Sequence, residues 1–186
     1  MKLTKEKEKT AFDALKARFG YENPMASPRL VKVIIGSGTG KVSRSDKTRN
    51  EFIAERLGKI AGQKASPRGA RKSVASFKVR EGEHIGFSAT LRGSRMYDFL
   101  DRFLSIALPR TRDFRGISRK VIDQMGNITI GVSEHTVFPE TADEELKNVF
   151  GLAVTIVTTA KTKEEAEAFL THIGVPFKKE EESKKA

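Results

Sequence analysis

The chain has 186 residues and a mass of 20.7 kDa, and its 35 Lys and Arg residues against 24 Asp and Glu residues give a formal net charge of +11. A globular chain of this size buries roughly 70% of the surface that its unfolded form exposes, so the length favours one domain with a substantial core. The absence of Cys excludes disulfide scaffolds, cysteine-ligated zinc, iron–sulfur clusters and thiol nucleophiles.

The N-terminal residues 1–9 contain no apolar signal-peptide core. No stretch of the chain approaches the roughly 18 apolar residues that a membrane helix needs. We therefore expect a cytoplasmic protein that is neither exported nor embedded in a membrane.

The positive charge is concentrated in the middle of the chain. Residues 41–120 carry a net charge of +12, whereas residues 121–177 carry −6. Clustered Lys and Arg residues favour nucleic-acid partners, because binding to phosphates releases condensed counterions. The sequence therefore predicts one surface that contacts nucleic acid and another that faces water or a basic protein; an ordinary solvated surface is the alternative.

The predicted elements begin with a helix that Thr4 caps and that ends at Phe19, followed by a strand over Arg29–Ile35. A second helix is predicted over Asp46–Ala61, and residues 63–73 form a basic loop without apolar periodicity. The alternation in Ile85–Leu91 predicts a strand, which we expect to pair with Val74–Val79 in a hairpin.

A third helix is predicted from Ser94 to Leu108, where Pro109 ends it. The later elements comprise short strands over 128–132 and 136–138, a helical turn over 144–150, a strand over 152–159, and a last helix with a Thr162/Glu165 capping box. This order predicts an α+β fold with a largely antiparallel sheet. We expect a single domain over residues 1–177 and a disordered charged tail over 178–186.

Three glycines, Gly36, Gly38 and Gly40, precede Lys41 and resemble a nucleotide-binding loop at first sight. The spacing does not match a P-loop, since position 35 is Ile and position 42 is Val, and Lys41 occupies the third glycine position of the dinucleotide fingerprint. A glycine-loop nucleotide-binding enzyme therefore remains as the alternative function. The same glycines allow close approach of an RNA backbone, or they serve only as a tight turn that requires positive φ.

His84, His135 and His172 are far apart in the sequence, so we expect no metal site.

The basic loop interleaves cations with small residues, which lets its backbone approach phosphates; a mobile loop without a specific role is the alternative. Aromatic residues that could stack on bases are few, and Tyr21, Tyr97 and Phe77 are the candidates. Recognition of the shape of folded RNA is therefore expected to dominate over stacking.

Five blocks of the sequence carry a specific resemblance: Ala70–Gly82, Leu91–Arg102, Ala107–Ser118, Phe138–Glu140 and Ile156–Thr162. In order and spacing they resemble the family of bacterial large-subunit ribosomal protein number five, over roughly residues 10–177. The resemblance implies a ribosomal component without a catalytic residue or cofactor. It implies binding to 5S rRNA in the central protuberance, contact with P-site tRNA, and a bridge to small-subunit ribosomal protein thirteen.

When the functional residues of the family are matched to this sequence by position, the resemblance implies two sets of RNA-binding residues. The expected 5S rRNA-binding residues are Gly36, Ser37, Gly38, Gly40, Lys41, Thr90, Arg92 and Arg95. The expected tRNA-binding residues are Arg68, Arg71, Lys72, Ser73 and Phe77.

Two departures from the family pattern affect these assignments. The family usually has Asn-Met-Gly-Val-Gly where this chain has Gly36 to Gly40, so Ser37 or the backbone would replace an Asn contact. The family also tends to place Thr-Arg before Ala-Arg-Lys, whereas here Arg68 precedes Gly69, which shifts the cation by one residue.

Overall fold

The computed structural model describes residues 3–40, 47–112, 114–142 and 148–178. Its helices are α1 (Leu3–Phe19), α2 (Lys47–Ala61), α3 (Ser94–Arg102), α4 (Leu108–Arg110) and α5 (Lys163–Ile173). Its strands are β1 (Leu30–Gly38), β2 (Ser66–Gly69), β3 (His84–Leu91), β4 (Ile128–Val132) and β5 (Leu152–Thr158). None of the described helices is long and apolar enough to cross a membrane.

The five strands form one sheet in the order β2-β3-β1-β5-β4, and every pairing is antiparallel. The central strand β1 pairs with β3 on one side and with β5 on the other. The predicted α+β class with an antiparallel sheet is confirmed.

The core lies on one face of this sheet. Val33 and Ile35 of β1 are fully buried, because alternate residues of a strand point to the same face and that face is covered by helices. The register places Leu91 and Ala89 of β3, and Ile156 and Val154 of β5, beside them. Helix α2 packs on both β1 and β3 from this side.

A cluster of three phenylalanines packs the centre of the core. The rings of Phe99, Phe103 and Phe138 are stacked, with centroids 5.7–6.1 Å apart. Each of the three is at most 1% exposed. Offset aromatic stacking of this kind adds to the free energy gained from burying large apolar side chains.

Pro109 does not end the third helix where the sequence predicts. Helix α3 continues through a π-helical turn over Phe103–Ala107 into α4, which contains Pro109. The N–H of Leu108 donates to the carbonyl of Phe103, five residues back. This wider turn accommodates the proline, which has no N–H and would crowd a regular α-helical turn.

The predicted pairing of Val74–Val79 with β3 is wrong. The strand beside β3 is β2, which lies within the segment predicted as a basic loop, and it pairs Ser66 with Ser88 and Arg68 with Gly86. Val74 and Val79 instead form an isolated bridge with each other. Because β2 is an edge strand, Pro67 removes no hydrogen bond between two inner strands.

Other local predictions have mixed outcomes. Residues 135–137 form a 3-10 turn rather than a strand, and the helix predicted over 144–150 lies largely outside the described residues. Thr4 lies inside α1, where its backbone N–H donates to Asp101, so it is not the helix cap. The last helix is correct: the hydroxyl of Thr162 accepts from the N–H of Glu165 at 3.2 Å.

Helix α1 is held to the body by polar contacts as well as by its buried Ala11 and Leu15. One carboxylate oxygen of Glu8 accepts from the N–H of Leu30 at 2.9 Å, and the other accepts from the hydroxyl of Tyr97. Burial, followed by the hydrogen bond and negative charge of Glu8, raises the pKa of Tyr97 to about 12. The Tyr97 hydroxyl therefore keeps its proton, and its hydrogen bond to α1, to a higher pH than an ordinary tyrosine would.

We predict that Phe103→Ala lowers the free energy of unfolding by about 3–5 kcal/mol, because it leaves a cavity beside the stacked rings of Phe99 and Phe138. Urea unfolding monitored by circular dichroism measures this. The control is Met125→Ala, at a side chain that is 72% exposed, and it should change the stability by less than about 0.5 kcal/mol. Equal effects of the two substitutions would contradict the assigned core.

Candidate nucleic-acid interface

The second face of the sheet is not covered by the described helices. We call it the open face, and it carries the residues that alternate with the core positions. Of its members only Gly86 is buried, and most are small or polar. They are Lys32, Ile34, Gly36, Gly38, Ser66, Arg68, Gly86, Ser88, Thr90, Thr129, Gly131, Ala153, Thr155 and Val157.

Gly36 and Gly38 belong to β1, whereas Gly40 lies in a turn after it. Gly36 pairs with Ser88 of β3 and with Ala153 of β5, and Gly38 pairs with Gly86. Neither Gly36, Gly38 nor Gly40 has a positive φ, so these three residues do not form the predicted turn that requires positive φ. The fourth member of this set, Lys41, lies outside the described residues.

The glycines of this region differ in what surrounds them. A Cβ on Gly86 would lie 2.7 Å from the carbonyl oxygen of Ser37, closer than such atoms approach. A Cβ on Gly38 would meet nothing within 4 Å, and one on Gly36 would make only an ordinary contact of 3.7 Å. The protein's own packing therefore requires glycine at 86 but not at 36 or 38, where the missing side chains leave the strand backbone accessible.

Ser37 points away from the open face. It is only 6% exposed, and its hydroxyl donates to the carbonyl oxygen of Gly151 at 2.8 Å. Its side chain therefore connects β1 to the residue that precedes β5 and does not reach a ligand on the open face. The Asn contact of the family pattern would have to be replaced by the backbone of this segment.

Thr90, Arg92 and Arg95 lie toward the opposite end of the open face from Gly38. Thr90 pairs with Ile34, and the exposed Arg92 and Arg95 follow at the start of α3. A guanidinium nitrogen of Arg95 donates to the side-chain oxygen of Gln63 at 3.4 Å, and the amide nitrogen of Gln63 donates to the carbonyl of Thr90 at 3.3 Å. Through Gln63, these hydrogen bonds connect Thr90 of β3 with Arg95 at the start of α3.

Residues 70–83 form an extension between β2 and β3, which we call the arm. Reciprocal backbone hydrogen bonds between Val74 and Val79, of 2.9 and 3.2 Å, close its outer part. At its base the N–H of Ala70 donates to the carbonyl of Glu83 at 2.9 Å. Lys78 adopts a left-handed conformation, with φ of 52°, at the turn. The arm is therefore a hydrogen-bonded structure rather than an irregular loop.

The predicted tRNA-binding residues separate into three groups. Arg71 and Lys72 are exposed on the arm, and Phe77 at its turn is 74% exposed. The hydroxyl of Ser73 accepts from the N–H of Glu81 at 2.9 Å and so braces the arm. Arg68 lies on β2 beside Gly86, which makes it a member of the open face instead of the arm.

The hydroxyl groups of two of the three aromatic candidates for base stacking are hydrogen-bonded inside the protein. The Tyr21 hydroxyl donates to Glu165, its ring stacks on Phe19 at 5.9 Å, and burial raises its pKa well above the usual range. Tyr97 donates to Glu8. Phe77 is the candidate whose ring is largely exposed to solvent.

The histidines have structural surroundings. His135 is fully buried, and its ring stacks on Phe150 with centroids 4.2 Å apart. The Nε2 of His172 lies 2.9 Å from the carbonyl oxygen of Lys7. Within the described ranges, no group of three or more His, Asp or Glu side chains has a metal-binding arrangement.

The described geometry also argues against a phosphate-binding loop. Such loops present unpaired backbone N–H groups to phosphate, whereas Gly36 and Gly38 lie in a central strand with partners in the sheet.

The open face also includes residues that the sequence did not single out. Thr129 and Thr155 lie side by side, with their hydroxyl oxygens 2.9 Å apart, and Lys32 lies on the same face of β1. The sequence does contain a signal for two of these residues, because Thr129 and Gly131 alternate with buried Ile and Val residues in β4. The strand register was needed to place these residues beside the glycines.

Comparison with known proteins identifies the family. The model described as "Ribosomal protein L5" matches residues 23–80, and the model that describes the C-terminus of the same ribosomal family matches residues 84–177. The chain belongs to the ribosomal protein L5 family. The L5 family consists of ribosomal proteins rather than enzymes, so the alternative of a nucleotide-binding enzyme is set aside.

Curated relatives named "Large ribosomal subunit protein uL5" cover most of the chain. The relative from Trichlorobacter lovleyi is 49% identical over 164 residues, 88% of this chain and 91% of its own length. One from Anaeromyxobacter sp. (strain Fw109-5) is 44% identical over 177 residues, 95% of this chain and 98% of its own length. Another from Acidovorax sp. is 49% identical over 161 residues, 87% and 89% respectively.

We predict that Gly86→Ala lowers the free energy of unfolding by about 1–3 kcal/mol, because its Cβ would force β1 and β3 apart. The matched control is Gly38→Ala, where the added methyl meets open space and the change should be below about 0.5 kcal/mol. Chemical denaturation of both variants measures the difference. A Gly38→Ala variant as unstable as Gly86→Ala would contradict the assigned strand register.

Proposed function

We propose that this chain is a constituent of the large ribosomal subunit that binds 5S rRNA through the open face. The observation that carries the proposal is a central sheet with one face left uncovered by the described helices and lined by glycine, serine and threonine. Such a surface lets a nucleic-acid backbone approach the strands closely, and hydroxyl groups can bond to phosphate and ribose oxygens. It fits recognition of RNA by shape and backbone rather than by base stacking.

The charges near this face support the same proposal. Lys32, Arg68, Arg92 and Arg95 lie on the open face or next to it, at both ends of β1 and β3. Two acidic side chains elsewhere are engaged within the protein: Glu140 pairs with Arg102 and Glu167 with Arg119, each at 2.7 Å. Cations beside this surface would attract phosphates, and the surface itself is lined by small residues without the negative charge that would repel them.

We further propose that the arm contacts P-site tRNA, through Arg71, Lys72 and Phe77. The arm extends from the edge strand β2 and is stiffened by its own hydrogen bonds. Its cations could therefore engage a second RNA while the open face holds the first. The proposal also includes a bridge to small-subunit ribosomal protein thirteen, which rests on the sequence resemblance, and it requires no cofactor and no membrane.

We predict that Lys32→Gln, Arg68→Gln and Arg92→Gln combined weaken 5S rRNA binding by at least about tenfold at moderate salt, because three phosphate contacts are lost. The slope of log affinity against log salt should become shallower by about 3. Gel-shift titration of the full chain, with tRNA and random RNA as competitors, measures both quantities.

The control variant carries Arg18→Gln, Lys161→Gln and Lys163→Gln, which remove the same charge from exposed positions away from the open face. It should bind 5S rRNA within about twofold of the unmodified chain, since it keeps the proposed phosphate contacts. Equal losses in the two variants, or equal affinity for all three RNAs, would defeat the assignment.

We predict that Arg71→Gln with Lys72→Gln weakens the contact to P-site tRNA in reconstituted ribosomes while 5S rRNA affinity and the unfolding midpoint stay unchanged. The reason is that both side chains are exposed on the arm and lie away from the core. Chemical footprinting of bound tRNA provides the readout. If the double variant unfolds, or if the tRNA footprint persists, the arm does not have the proposed role.

A further inference from the structure

A cleft on the helical side of the molecule combines positive charge with aromatic walls. It lies between α1, the 3-10 turn Pro24–Ala26 and α3, and its volume is about 340 Å³. Its lining includes the cations Lys5, Lys9 and Arg29 and the rings of Phe12 and Tyr97. The cleft is distinct from the open face, because α1 packs on α3 and α5, on the helix-covered side of the sheet.

The cleft carries an excess of positive charge that the protein does not neutralise. Lys5, Lys9 and Arg29 make no ion pair among the described residues. Glu8 supplies the negative charge of the lining, and its oxygens accept hydrogen bonds from the uncharged donors of Leu30 and Tyr97, so the lining keeps two positive charges in excess. Lys5 and Lys9 are four residues apart on α1, a spacing at which like charges destabilise a helix. An anion bound between them would relieve that repulsion.

The walls of the cleft are fixed in position. The backbone of Arg29 is held at the start of β1 by Thr159, whose hydroxyl accepts from the Arg29 N–H at 2.9 Å and whose N–H donates to the Arg29 carbonyl at 3.0 Å. Helix α1 is anchored by the hydrogen bond of Thr4 to Asp101 and by that of the Lys7 ammonium to Ile173, at 3.1 Å. The backbone frame of the cleft is therefore formed before any ligand arrives, as is usual for ligand sites.

We propose that this cleft binds a nucleotide of a single-stranded RNA segment, with its phosphate on Lys5, Lys9 and Arg29 and its ribose and base against Phe12 and Tyr97. A volume of about 340 Å³ fits the lower end of small-ligand sites. Neighbouring cations and aromatic rings suit a phosphate that is joined to a planar base, which is the combination used in single-strand binding. An acidic peptide would match the charge but would offer no planar group to the rings of Tyr97 and Phe12, the second of which already lies 5.4 Å from the Lys16 ammonium.

The location of binding can be tested with an octamer of 5-iodouridine RNA and the full chain. Ultraviolet irradiation couples this base to aromatic side chains that it touches, and mass spectrometry of the peptides identifies them. We expect coupling to the peptides that contain Phe12 and Tyr97, and we expect it to persist when Lys32, Arg68 and Arg92 are replaced by Gln. Coupling confined to Phe77 or to other peptides would overturn the proposal.

The affinity is tested by fluorescence anisotropy with labelled octauridine. The variant with Lys5→Gln, Lys9→Gln and Arg29→Gln should bind about tenfold more weakly, with a salt slope shallower by about 2. The control with Arg18→Gln, Lys161→Gln and Lys163→Gln should bind like the unmodified chain. Equal affinities of the two variants, or displacement of octauridine by decaglutamate as effective as by unlabelled octauridine, would overturn the proposal.

These outcomes are independent of the 5S rRNA assignment. The cleft variant should bind 5S rRNA as well as the control variant does, because the open face is intact. Failure of the cleft proposal would therefore leave the proposed function standing. Failure of 5S rRNA binding would likewise leave the crosslinking result to be judged separately.

Discussion

The pairing of β1 with β3 and β5 is the constraint on which the rest of the structure depends. Because β1 is central and its side chains alternate, Val33 and Ile35 must join the helix-covered core, while Gly36 and Gly38 must lie on the open face. A shift by one residue would exchange the two sets. The same register that builds the core therefore also creates the surface that we assign to RNA.

The two sides of the sheet differ in charge and in packing. On the covered side, the Ser37 hydroxyl donates to the carbonyl of Gly151 and is thus satisfied within the chain. On the open side, small residues leave the strand backbone accessible, and cations such as Arg68 and Arg92 lie at its margins. This separation explains how a protein with a net charge of +11 can keep a stable core while it presents a cationic surface.

Much of this arrangement could be predicted from the sequence. The clean alternation of Ile85–Leu91 identified β3, and the Thr162 cap located α5, since both signals are local. The strand β2 could not be predicted, because Ser66–Gly69 contains Pro and Gly and is stabilised by its pairing with β3. The inward direction of the Ser37 side chain could not be predicted either, because it depends on the continuation of β1 through Gly36 to Gly38.

Lysine footprinting of the full chain, with and without 5S rRNA, tests the central claim most directly. Acetylation followed by mass spectrometry reports which ammonium groups become shielded. The account predicts that Lys32, on the open face, is protected, whereas Lys161 and Lys163, near the start of α5, react at an unchanged rate. Protection of Lys161 and Lys163 with Lys32 still fully reactive would contradict it.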